Sequence, residues 1–202
     1  MKNFYHELPL GYKAFKVIDA KNKKTILFFN FAAILMMALA AFPFIVLKPV
    51  DLSTDLLLPF ILVLVTGMIS YILFHELTHG LVYKFYTKQK LTFGLTLTVA
   101  FCGVPHVYVS KKVSLIAVLA PFVIYSVVLI PILLFMPANS IYLAFIFIFA
   151  MHFGGCVGDL YVALVLLRCK GNLLVNDTGP KQTFYRFEDH YDRTSLSSTM
   201  EI

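Results

Sequence analysis

Four apolar runs, each long enough to cross a bilayer, govern what this chain can fold into. They cover about Ile26 to Leu47, Leu57 to Tyr83, Val113 to Phe135 and Ile141 to Leu167. A spanning helix needs about 20 apolar residues at about 1.5 Å of rise each, so each run reads as a transmembrane helix. Pro43, Pro121 and Pro131 fall inside them, which membrane helices tolerate where neighbours satisfy the freed carbonyls. Only 14% of the 202 residues are charged and 59% are hydrophobic. An ordinary soluble domain carries about 25% charged residues, so a soluble enzyme and a disordered chain are both excluded. The first run follows several lysines and could pass for a signal peptide ending at Ala38-Leu39-Ala40. Its apolar stretch continues to Leu47, and it is read as a retained helix.

The excess of 17 basic over 11 acidic residues is explained by topology rather than by a nucleic-acid partner. Six Lys precede the first run. Five lie between the second and third, and five Lys or Arg follow the fourth, while the two remaining loops hold only Lys48. Sixteen of the 17 thus fall on one side of a four-span chain, and the positive-inside rule makes that side cytoplasmic, with both termini there, in a multi-pass protein of the cell membrane. Cys102, Cys156 and Cys169 are not in C-x-x-C spacing and give no disulfide framework.

Nine of the 11 acids sit in tails or loops, and two, Glu76 and Asp159, lie inside spans two and four. A carboxylate there costs about 2.5–3.5 kcal/mol even on insertion scales, so it marks function. Glu76 belongs to His75-Glu76-Leu77-Thr78-His79, an H-E-x-x-H pattern. Residues four apart share a helical face, so both imidazoles can hold one Zn2+ ion, and Glu76 can act as general base on water. A catalytic zinc site takes a third protein ligand and keeps an open position. Asp159 is the candidate: it lies nine residues before Arg168, as His75 lies nine before Lys84, so both sit about 13 Å from the same boundary. Its alternative role is a helix–helix hydrogen bond or a pairing with Arg168. His152 and His106 are second choices as ligands, and Gly154, Gly155 and Gly158 read as small residues for close helix packing.

Between spans two and three, Leu91 to Val99 alternates apolar residues with Thr or Gly, the period of a strand. Cys102 to Pro105 reads as a turn and His106 to Val109 as a return strand. An open edge on this hairpin could receive an extended peptide as an added strand. A further strand pair is read around Thr178-Gly179-Pro180.

These residues carry a family resemblance. His75-Glu76-Leu77-Thr78-His79-Gly80 and Gly155-Cys156-Val157-Gly158-Asp159 resemble the motifs of site-2 protease-like intramembrane zinc metalloproteases. The chain is most similar to small bacterial membrane proteins described as zincin peptidases, a group that Glu7-Leu8-Pro9-Leu10-Gly11-Tyr12-Lys13 also resembles. The resemblance implies His75, His79 and Asp159 as zinc ligands, Glu76 as catalytic base, and the hairpin as a membrane-associated element. Site-2 proteases follow the third ligand with Gly, whereas Leu160 follows Asp159, and no Asn stands near it to steady an oxyanion.

The reading is an all-α membrane protein with about four transmembrane helices and a short membrane-associated β-hairpin between helices 2 and 3. Residues 1–25 form a cytoplasmic N-terminal segment, 26–170 the membrane domain with the metal site, and 171–202 a cytoplasmic tail. The expected activity is hydrolysis of peptide bonds in a membrane-embedded or extended substrate, with the lipid bilayer as its setting and no nucleic acid. A metal-binding adaptor or sensor without catalysis, and a metal or proton transporter, are the alternatives.

Overall fold

A computed structural model describes residues 2–50, 57–95 and 100–188. Its helices follow the apolar runs: α1 (Lys23–Leu47), α2 (Leu57–Thr87), α3 (Lys111–Phe135), α4 (Ser140–Gly155) and α5 (Val157–Arg168). Among the described residues, four segments are long and apolar enough to cross a membrane, the fourth being α4 and α5 together. Polar side chains fix the starts. Asn22 accepts from the Lys24 and Thr25 N–H groups at the head of α1, and Asn139 from those of Ile141 and Tyr142 at the head of α4. Each cap satisfies donors that a helix start leaves unpaired.

The expectation of an all-α protein needs correction. Seven short strands are present among the described residues: β1 (Phe4–Tyr5), β2 (Tyr12–Asp19), β3 (Thr92–Leu95), β4 (Ala100–Gly103), β5 (Tyr108–Ser110), β6 (Leu173–Asp177) and β7 (Lys181–Phe187). Five of them form one antiparallel sheet in the order β1-β5-β6-β7-β2. The N-terminal segment, the loop between α2 and α3 and the tail after α5 each contribute to it. The strand pair expected around Thr178–Pro180 is the β6–β7 hairpin. The hairpin expected after α2 also forms, but its return strand is β4, paired with β3 from Thr92↔Gly103 to Leu95↔Ala100. Residues 106–109, expected as that return strand, instead lead into β5 of the larger sheet. The stretch 96–99, expected to continue the first strand, lies outside the described residues, as does 189–202 of the tail.

The sheet caps one end of the helices. Phe184, Leu173 and Val175 are fully buried against Val113 and Ala117 of α3 and Val162 and Leu166 of α5. Each large apolar side chain so buried contributes about 1.5–3 kcal/mol. Lys16 of β2 donates to the Tyr161 hydroxyl of α5 at 3.0 Å. At the other end Leu129 and Leu133 of α3 pack with Tyr142 and Ile146 of α4. None of the 25 residues of α1 is buried. It packs along α4, where a Cβ on Gly154 would stand 2.6 Å from Met37 Cγ. The outward Leu27, Phe31, Ile34 and Phe42 suit a lipid surface.

Span four is interrupted. At Cys156 the helix ends and restarts, with the Cys156 N–H bonded to the His152 carbonyl and the Leu160 N–H to that of Cys156. The break places Asp159 in the first turn of α5, where the partial positive charge of a helix N-terminus favours a carboxylate.

Candidate metal centre

His75 and His79 occupy successive turns of α2 and both point at Asp159. The three donor atoms form a near-equilateral triangle. His75 Nε2 to Asp159 Oδ2 is 3.2 Å, His79 Nε2 to Asp159 Oδ2 is 3.4 Å, and the two Nε2 atoms are 3.3 Å apart. Neighbouring donors around a tetrahedral zinc with ligands at about 2.0–2.1 Å stand about 3.3–3.4 Å apart. The triangle thus matches one face of that tetrahedron and leaves the fourth corner free.

The outer atoms of the rings fit the same purpose. His79 Nδ1 lies 2.8 Å from the Ala117 carbonyl of α3. A carbonyl only accepts, so Nδ1 carries the proton and Nε2 presents its lone pair inward. His75 Nδ1 lies 2.8 Å from the Tyr71 hydroxyl. The side chains of His75, His79 and Asp159 are 9%, 10% and 17% exposed. Two imidazole nitrogens and a carboxylate oxygen converging under such shielding form a donor set that could hold a cation.

Glu76 lines the same cavity, of about 540 Å³, which is bounded by α1, α2, α5, β4 and the β6–β7 turn. Its carboxylate is hydrogen-bonded to the backbone of Cys102 on β4. The Val104 N–H, two residues along, bonds the Asp177 carbonyl of β6. Cys102 and Val104 therefore turn their backbone away from β3, and by the two-residue period of a strand Ala100 does too. The Ala100–Cys102 edge of β4 consequently faces the cavity, beside Glu76.

Of the second-choice ligands, His106 is exposed on the turn between β4 and β5 and is not part of the cavity wall. His152 is fully buried and bonds Tyr71 and Ser126. Cys156, also fully buried, brings Sγ within 4.8 Å of donor atoms of His75 and Asp159. It sits with Tyr71 and His152, 3.9 Å from the hydroxyl and 3.7 Å from Nδ1. The glycines divide their roles: Gly154 meets α1, Gly155 has the Tyr71 hydroxyl at 3.5 Å, and Gly158 has nothing within 4 Å of its Cβ position and borders the cavity.

Three participants were not singled out from sequence. Asn30 of α1 lines the cavity; its signal was a lone carboxamide in an apolar helix. Tyr71 gave no signal, being one tyrosine among 11. Asp177 closes the sheet side. Its Oδ2 accepts from the Tyr83 hydroxyl at 2.7 Å and from Gln182 Nε2 at 3.0 Å, and its Oδ1 from the Gly179 N–H at 2.8 Å. Burial outweighs these hydrogen bonds and raises its pKa to about 6. Burial likewise pushes the Cys102 thiol up to about 12, helped by Glu76 and Asp177, so it stays neutral at ordinary pH.

A family model described as "Putative zincin peptidase" matches residues 68–174, more than half of the chain. The chain belongs to that family. The matched stretch of this zincin-peptidase family member begins within α2, holds His75, Glu76, His79 and Asp159, and ends in β6. No curated protein and no solved structure matches the chain.

Proposed function

We propose that this protein is an intramembrane zinc metalloprotease that cleaves a membrane or membrane-proximal protein. The observation that carries the reading is the 3.2–3.4 Å triangle of donors beside Glu76 in an open cavity. His75, His79 and Asp159 would hold the ion. Bound zinc supplies Lewis acidity, lowering the pKa of water and polarising a peptide carbonyl. Glu76 takes the proton of the attacking water and passes it to the leaving nitrogen. The cavity-facing β4 edge at Ala100, beside the Cys102 backbone that Glu76 engages, aligns an extended substrate through main-chain hydrogen bonds. Asn30, which lines the same cavity from α1, offers a hydrogen-bond donor to the substrate backbone. Lipid-facing α1 packs on α4, so the cavity is bordered by a helix the bilayer surrounds. The side bearing the sheet is cytoplasmic by its basic residues.

The first test is metal content of the protein purified in detergent. About one zinc per chain is expected, lost in His79→Ala and in Asp159→Ala. Membranes carrying the wild type should then show new protein termini that are absent with Glu76→Gln, a variant that keeps its metal and loses about 10²–10⁴-fold in rate. Equal cleavage by Glu76→Gln would remove the assigned base. Metal binding without any cleavage would favour an adaptor or sensor.

A further inference from the structure

Resting on the zinc reading above, we infer that Tyr71, backed by His152 and Ser126, is the positioning group that aims His75 at the metal. His79 has a backbone carbonyl to fix its ring, whereas His75 has the Tyr71 hydroxyl, one turn earlier on α2. That hydroxyl can serve only if its oxygen is free to accept, which means its proton must be directed elsewhere. The structure provides the place: the hydroxyl lies 3.1 Å from His152 Nδ1 and 3.4 Å from the His152 carbonyl, both acceptors on α4.

The direction of the chain follows from its far end. His152 Nε2 is 3.0 Å from Ser126 Oγ of α3, and the Phe122 backbone, one turn before Ser126, hydrogen-bonds the same ring. A backbone carbonyl only accepts, and Nδ1 is taken by Tyr71, so the ring proton sits on Nε2. His152 Nδ1 then accepts from the Tyr71 O–H, the Tyr71 oxygen accepts from His75 Nδ1–H, and His75 Nε2 is left with its lone pair toward Asp159 and His79. One tautomer satisfies every member. The array spans α2, α3 and α4, and its inner members are buried: His152 has no exposed surface and Tyr71 is 7% exposed. Phe122 stacks on the imidazole at 5.8 Å between centroids and 26° between planes, which holds the ring orientation.

A buried His and Tyr that merely filled space would not need to be arranged in this donor order. The array does for His75 what the Ala117 carbonyl does for His79: it orients the ligand and raises its basicity. Such outer partners are worth about 10–100-fold in metal affinity.

The experiment is a zinc affinity measured by chelator competition on the full chain in detergent, with Co2+ absorption as a second readout of ligand geometry. Tyr71→Phe keeps the ring and removes the hydroxyl; it should weaken zinc about 10–100-fold and alter the Co2+ spectrum. Ser126→Ala, which touches no ligand, should shift both readouts in the same direction by a smaller factor and covers the case in which Tyr71→Phe fails to fold. A Tyr71→Phe protein that binds zinc as the wild type does, with an unchanged Co2+ spectrum, overturns the positioning role. A wild type that binds no zinc overturns the metal site itself.

Discussion

His75, His79 and Asp159, the proposed zinc ligands, bring three donor atoms within 3.4 Å of one another. His75 and His79 declare themselves because a helix puts positions four apart on one face, and Asp159 because an acid in a membrane span is costly. Tyr71 and Asn30 did not, since their part depends on which helix faces which. Asp177 was legible only as a tail acid, and its burial makes a prediction of its own. Its carboxyl is raised from 3.8 to about 6, so the folded protein binds more protons than the unfolded chain between those values. Stability contributed by this group is therefore full below about pH 3.8 and lost as pH rises through 6. The loss is on the order of 3 kcal/mol. Thermal unfolding of the metal-free protein in detergent, followed from pH 4 to 8, should show this decline, and Asp177→Asn should flatten it. An equal decline in both proteins would assign the pH dependence to another group.

Among elements, the β6–β7 turn is the part that shapes the cavity from the sheet side. Gly103 of β4 lies so close to it that a Cβ would stand 2.3 Å from the Gly179 nitrogen and 2.6 Å from the Thr178 carbonyl carbon. Those are backbone atoms, which cannot swing aside. Gly103→Ala should destabilise the protein by about 1–3 kcal/mol, the usual cost of overpacking, and lower its melting temperature. Gly158→Ala, where a Cβ meets nothing within 4 Å, should leave it unchanged or raise it slightly through helix propensity. Equal melting of both variants would contradict the close approach of β4 and the turn. The helices were readable from hydropathy, because 20-residue runs are long and contiguous. The sheet was readable only at its β6–β7 hairpin: its strands are two to eight residues long, and β1, β2 and β5 find partners far away in sequence. The register of β4 was misread for the same reason, since alternation around residues 106–109 suits β5 as well as a hairpin.

For the whole molecule, the sheet and the charge pattern point to one arrangement. Strands from before α1, between α2 and α3, and after α5 hydrogen-bond to one another, so those segments share a side of the helices, and it is the side carrying every described basic residue except Lys48. Single cysteines at Leu10 and Lys181, both exposed, should therefore react alike with a membrane-impermeant thiol reagent. Cysteines at Pro49 and Pro137, exposed at the other end, should react oppositely: labelled in intact cells while the first pair is protected. Labelling of only one of Leu10→Cys and Lys181→Cys on whole cells would refute the shared side.

The pairing of β2 with β7 also sets a timetable. In synthesis, β2 emerges before α1 to α5, and its partner β7 emerges after them. Asp159, the proposed third ligand, comes on α5. Until the ribosome has passed both, the chain has an unpaired strand and two histidines without the acid they converge on, so on the zinc reading a nascent copy lacks a complete ligand set.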